Sequence, residues 1–290
     1  MTNKKSKRQR KASKAKKSNI ANPNTEKATQ PNKTSGTASA SASASHKQTP
    51  SWFAIALWPV VFISQLIVAA LISWHLLAQF DFAYSAAYDS IDIEKHIKTF
   101  GPRNRYRPEF ETTTPEDHHR LFAEIGDAIQ NHGEGLADIS YQTSKGQTYT
   151  LLRSPEVIHL QDVANLVDVF YSVGYVCIGL LLLGCALAYV KQLSFPGAKH
   201  ISIGIVAFVA TVAGILFGVG PRKVFYWLHV QIFPPEHEWF FYYQDSLMTT
   251  LMKAPDLFGF IGAVMGFVLM LVWIAEIILL RLLLKKAQQA

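Results

Sequence analysis

His159 and Asp162 stand three residues apart in "SPEVIHLQDVANLVDVF", residues 154–170. At about 100° per residue they lie about 60° apart on a helix, and Leu166 and Phe170 continue the same stripe. Asp168 falls on the opposite face. A carboxylate close to an imidazole orients it and raises its basicity, as a proton acceptor requires. The same two residues would serve equally at a helix start that bonds to a neighbouring folded segment. A second histidine, His229, sits in "VFYWLHVQIFPPEHEWFFYYQDSL", residues 224–247. Its neighbours Phe225, Tyr226, Trp227, Phe233, Trp239 and Phe240 are ring side chains that prefer a membrane interface, and Asp245 follows. Both segments can therefore bring a histidine to one depth. His237, flanked by Glu236 and Glu238, is a rival with a more exposed expected setting. His118 and His119 point apart on a helix and make a poor metal pair; with His132 they read as solvated surface groups. No metal or nucleotide motif is recognisable.

The elements that must position these groups follow from hydropathy. Four apolar runs reach the roughly 20 residues a bilayer crossing needs: Trp52–Ala78, Val167–Val190, Ile201–Val219 and Phe258–Leu280. Pro59, Gln65 and His75 inside the first predict that it lies against other helices. Ser154 is expected as a cap and Pro155 as the first helical residue, with no breaker until beyond Val190. Such a helix is about 54 Å long where the hydrocarbon core needs only about 30 Å, so its first turns project beyond the bilayer.

The expected fold class is an α-helical polytopic membrane protein with four transmembrane helices and a small extracytoplasmic α+β cap between the first and second. The organisation expected is a disordered basic cytoplasmic tail (1–51), span 1 (52–78), cap (79–154) and a long helix ending as span 2 (155–190). Span 3 (201–219), an aromatic-rich interfacial segment (220–257) and span 4 (258–284) complete it. In the cap, "TPEDHHRLFAEIGDAIQNHG" predicts a helix with Thr114 as N-cap, Pro115 at its first position, Asp117 closing a capping box and Gly133 ending it. "LADISYQTSKGQTYTLLR" predicts a hairpin around Ser144–Gly146. "KTFGPRNRYRPEF" reads as an irregular basic loop, either solvated or lining a cleft for anionic headgroups.

Charge is divided unevenly. Residues 1–51 hold 12 Lys/Arg and one acid, a net +11, whereas the rest holds 16 Lys/Arg against 20 Asp/Glu, a net −4. The body offers no basic folded face for nucleic acid. The tail suits anionic lipid headgroups or simply sets topology, and it is too long and basic for a cleavable signal peptide. Lys191 and Lys199 lie in the short link after span 2, and Arg281, Lys285 and Lys286 end span 4, so both termini are expected in the cytoplasm. Residues 79–166, with 14 acids against 8 bases, are expected outside. Cys177 and Cys185 lie eight residues apart on one helix, cannot bridge each other and read as small buried hydrophobes.

"EVIHLQDVANL" resembles an E-I-x-H-M-x-D-V-K-x-L pattern. "FYWLHVQIF" with the later Trp, Asp and "KAPDLF" resembles F-x-x-F-H-x-x-F-F, Trp, Asp and P-E-x-F-F. Both patterns belong to bacterial four-span membrane proteins that include the lipoprotein intramolecular transacylases, and the resemblance covers roughly residues 52–284. Ala164 stands where a basic residue is usual, and Pro234 and Pro235 replace a Phe-containing stretch. The resemblance implies a plasma-membrane acyltransferase that moves an acyl chain from a glyceryl ester to an N-terminal cysteine amine of a diacylated lipoprotein. It implies His159 and His229 as acid/base residues, with Asp162 orienting His159. Tyr226, Trp227 and Trp239 would position acyl chains or simply anchor at the interface, with Asp245 beside them, and no cofactor, metal, nucleotide or nucleic acid is expected. A lipid-ester hydrolase using the same dyad, or a non-catalytic protein whose cap binds a partner, are the other readings.

Overall fold

Apolar residues without a helix breaker other than Pro59 form α1, Ser51–Ala78, at the start of the part of the chain that the computed structural model describes, residues 51–287 and Gln289. The basic tail expected over 1–51 lies, but for Ser51, outside the described residues. After α1 come two short helices, α2 (Tyr84–Ser90) and α3 (Ile93–Phe100), and then α4 (Pro115–Gln130). Thr114 caps α4: the Asp117 backbone N–H donates to its hydroxyl and the Asp117 carboxylate accepts from its backbone N–H, the reciprocal box the sequence predicts. The chain leaves this helix through His132 and Gly133, both at positive φ. Gly133 suits that backbone because it adopts positive φ without strain, and an added Cβ would also displace the Gln161 amide, 2.2 Å away. Strands β1 (Ser140–Gln142) and β2 (Thr148–Thr150) pair antiparallel with Tyr141 opposite Tyr149.

The long helix α5 covers Ser154–Val190, 37 residues. Its N-cap position is Arg153 rather than Ser154; Arg153 donates its backbone N–H to Glu156 Oε2 (2.8 Å), so the carboxylate three residues on makes the start and the serine is already helical. Next are α6 (Ala198–Val219), α7 (Pro221–Ile232), the one-and-a-half-turn α8 (Leu247–Met252) and α9 (Asp256–Ala287). Among the described residues, helices α1, α5, α6 and α9 are the four long and apolar enough to span a bilayer.

Two of the spans meet closely. Gly174 and Gly184 of α5 face Leu71 and Val61 of α1, and a Cβ on either glycine would come within 2.6 Å of those side chains. Small residues let helix backbones approach where lipid supplies no hydrophobic drive. Ala69 of α1 lies in one cluster with Trp273 and Ile277 of α9. Helix α6 buries none of its residues fully, but Ile201 and Ile205 pack against that cluster and Phe208 lies 5.7 Å from Trp273.

The cap core is built from both outer segments. Tyr84, Ile97, Phe110, Leu121 and Ile125 share one buried cluster with Phe241, Leu247, Leu251 and Leu257, and the Tyr84 hydroxyl donates to the Leu251 carbonyl (3.0 Å). The 220–257 segment is thus more than an interfacial strip: its α8 completes the cap's hydrophobic core. Leu247, Met248, Leu251 and Met252 cannot be covered by so short a helix alone.

Candidate active site

The projecting start of α5 carries His159, which is buried at 8% exposure. On α7, Phe225 and His229 fall one turn apart on the inward face, while Trp227 and Val230 face out. The two imidazoles, 70 residues apart in the chain, lie with ring centroids 6.1 Å apart and planes inclined by 31°. At that separation both rings can reach a single reacting group by hydrogen bonds of about 3 Å.

The surroundings set the protons. The His229 Nδ1–H donates to the Phe225 carbonyl (2.8 Å), which can only accept, so the neutral ring keeps its lone pair on Nε2. Burial holds the His229 pKa below the ordinary histidine value, favouring that neutral form at physiological pH. His159 Nδ1 is buried with no partner among the described residues. A buried, unsatisfied ring nitrogen is costly unless something else satisfies it. Phe233 stands edge-on to His159 at 4.8 Å and 5.2 Å from His229, and Trp239 lies 4.9 Å from His229.

Both histidines line a cavity of about 620 Å³. Its walls run along α5 through Val163, Leu166 and Phe170, and along α9 through Phe258, Ile261 and Met265, with Trp74 of α1 alongside. Eleven residues of helix separate His159 from Phe170, a rise of about 16 Å. A greasy slot of that depth, with two imidazoles at its head, can hold acyl chains while exposing an ester to acid/base groups.

Three sequence expectations need correcting. Asp162 does not hold His159: its Oδ2 accepts the Nδ1–H of His237 at 2.7 Å. The 60° offset along α5 turns the carboxylate toward the Pro234–Trp239 turn, and His237 is half-buried by that contact. Trp227 is 61% exposed and does not line the cavity, since α7 turns Phe225, Tyr226 and His229 inward; that setting leaves it free to anchor at a membrane interface. Asp245 pairs with Arg105 at 3.2 Å, tying the basic loop to the second outer segment, and does not line the cavity. His118 is a core residue at 1% exposure: Nδ1 lies 2.7 Å from the Tyr88 hydroxyl and Nε2 2.8 Å from the Thr113 hydroxyl. Tyr226 and Trp239 do line the cavity. His132 is exposed and sits 2.9 Å from Asp168.

Glu156 was not singled out from the sequence. It is fully buried, accepts from the Ser246 hydroxyl at 2.5 Å and sits 3.3 Å from the Arg153 guanidinium. It bolts the start of α5 to the start of α8 and so fixes one outer segment against the other, one turn from His159. Its signal in the sequence is its place as the first residue of "EVIHLQDVANL", three residues before His159. Among the described residues no cluster of His, Cys, Asp and Glu has the geometry to hold a metal ion.

The profile of the family "Lipoprotein intramolecular transacylase Lit" matches residues 51–254. Among solved structures, the chain is similar to the membrane integral lipoprotein intramolecular transacylase Lit from Bacillus cereus. The TM-score is 0.57 at 16% identity, over 83% of this chain and 100% of that one. A form of the Bacillus protein carrying one His-to-Arg mutation gives the same TM-score and identity over 82% and 95%. At that identity the likeness speaks for the fold. No curated protein sequence matches.

Proposed function

The chain belongs to the lipoprotein intramolecular transacylase family, and from that premise we propose that it transfers an acyl chain within a diacylated lipoprotein. The chain would move from a glyceryl ester to the amine of the N-terminal cysteine, at the outer face of a bacterial plasma membrane. The observation that carries the reading is the convergence of His159 and His229, 6.1 Å apart, at the head of an apolar cavity.

The amine nitrogen attacks the ester carbonyl while His229 Nε2 takes its proton. The His159 ring N–H donates to the oxyanion of the tetrahedral intermediate. The C–O bond to the glyceryl group then breaks, and the proton held on His229 passes to the leaving alkoxide. An amide C–N bond has replaced an ester C–O bond, and both histidines end as they began. Amine and ester belong to one molecule, so holding them together supplies effective molarity and no protein nucleophile is needed. Tyr226 and Trp239 flank the ester, and the walls formed by Leu166, Phe170 and Met265 take the acyl chains. The cytoplasmic placement of both termini is part of the proposal and rests on Lys191, Lys199, Arg281, Lys285 and Lys286 at the span ends opposite the cap.

Purified protein in vesicles, given a synthetic diacylglyceryl-cysteinyl peptide, tests this. Tandem mass spectrometry should find one acyl group on the amine at unchanged total mass. Free fatty acid as the only product would make the protein a lipid-ester hydrolase. Unaltered peptide, together with unaltered behaviour of cells carrying His159→Ala and His229→Ala, would leave a non-catalytic cap that binds a partner.

A further inference from the structure

Between α7 and α8 the chain crosses over the two histidines as a strap, Phe233–Tyr243. Phe233 and Trp239 set their rings against the imidazoles, at 4.8 Å from His159 and 4.9 Å from His229, and Phe241 lies 6.1 Å from His159. These rings form the roof of the site. The strap's far end is held well: Phe241 is in the cap core, and the Arg105 backbone N–H donates to the Gln244 carbonyl (2.8 Å). Its near end is the end of α7. The middle has far less to hold it. Pro234 and Pro235 have no N–H to give, and His237 makes one turn bond back to the Pro234 carbonyl (3.1 Å). Among the described residues, the hydrogen bond that joins this middle to another element is His237 Nδ1–H to Asp162 Oδ2, 2.7 Å. Asp162 lies one turn beyond His159 on α5, so the bond pins the roof beside the dyad.

We propose that His237 is a positioning residue that latches this roof through Asp162 and thereby makes the site select an amine over water. The inference rests on the acyl-transfer reading above. An acyl group poised between two imidazoles can be taken by the substrate amine, giving amide and alcohol, or by water, giving fatty acid and alcohol. The same proton acceptor serves both. Water is the abundant competitor beyond the roof, so excluding it decides the product. His237 itself touches no reacting atom; it acts by holding Phe233 and Trp239 down. Its ring is 35% exposed, so breaking that one bond frees the turn without opening a packed core.

The test measures product partition on the diacylglyceryl-cysteinyl peptide, using the full chain in phosphatidylethanolamine–phosphatidylglycerol vesicles. His237→Phe keeps a ring and removes the donor; His237→Asn keeps an N–H donor near the Nδ1 position. With His237→Phe the ratio of free fatty acid to N-acyl product should rise about tenfold, the change that about one hydrogen bond makes. With His237→Asn the ratio should return close to that of the unaltered protein. Because the ratio is set at each turnover, a smaller folded fraction leaves it unmoved. An unchanged ratio in His237→Phe overturns the latch, as does His237→Asn behaving like His237→Phe. If the unaltered protein yields no N-acyl product, the transacylase reading itself falls, and the latch with it.

Discussion

The assignment of His229 as proton acceptor comes from one hydrogen bond. With Nδ1–H committed to the Phe225 carbonyl, Nε2 is left as the basic atom of a ring whose centroid lies 6.1 Å from that of His159. His229→Ala and His159→Ala should each lower the transfer rate by about 10²-fold or more while leaving the protein folded, since general acid–base groups contribute on that scale. Peptide turnover beside a thermal melt of each variant checks this. The sign of the pH dependence follows from burial. A proton acceptor works when neutral, and desolvation places the His229 pKa below its ordinary value of about 6.5. Once the substrate amine's own titration at about 8 is divided out, the rate should therefore rise with pH through a histidine midpoint below about 6.5. A midpoint above the ordinary histidine value would contradict the assignment. Sequence spacing suggested Asp162 as the partner of His159, but a helical offset gives only a direction. His237, which takes that carboxylate, comes from a turn 75 residues away.

At the scale of helices, the site depends on how α1 carries α5. Gly184 faces Val61, a stiff β-branched side chain, fully buried, whose methyl would lie 2.6 Å from an added Cβ. Gly174 faces the tip of Leu71, which can swing away. Gly184→Ala should thus cost about 1–3 kcal/mol of stability, as overpacking does, and Gly174→Ala should cost less. Val61→Ala should recover much of the Gly184→Ala loss, a coupling readable by melts of the four proteins in detergent. Equal losses from the two glycines would show that the close approach lies elsewhere. The helix α4 was legible from its residues because capping and periodicity act within a few positions. Its neighbour α8 was not, because a six-residue helix draws its stability from the core it completes rather than from its own pattern.

Taken whole, the molecule joins a membrane bundle to a cap whose core draws on both outer segments, and His118 reports on that cap's integrity. The Thr113 hydroxyl gives its hydrogen to the Phe110 carbonyl (2.6 Å), so it must accept from His118 Nε2–H, while the Tyr88 hydroxyl donates to Nδ1. Both ring nitrogens are thereby satisfied in the neutral form. Burial pushes the His118 pKa down to about 4; Asp117 and Glu94 pull it upward, His119 and Lys98 downward. Below about 6.5 the unfolded chain binds a proton that the folded cap refuses, so stability present above that pH is lost as it falls toward 4. The expected loss is about 2–3 kcal/mol. His118→Gln should flatten that part of the pH dependence in melts recorded between pH 7 and 4. An identical acid slope in the variant would assign the effect to other groups.

The amino-acid sequence alone determined the number of spans, the over-long second helix, the capped helix α4, the hairpin and the division between basic tail and acidic body. It also pointed to the two histidines, through motif resemblance and a ring-rich segment. All of these rest on interactions within a few residues or on apolar length, which a chain carries wherever it folds. Only the tertiary structure decided which side chains meet across long stretches of chain. It paired Asp162 with His237, turned Trp227 outward, gave Asp245 to Arg105, buried His118 and used Glu156 to bolt α5 to α8. Such choices depend on how whole elements exclude water together, and burial of that kind belongs to the packed molecule rather than to any single segment.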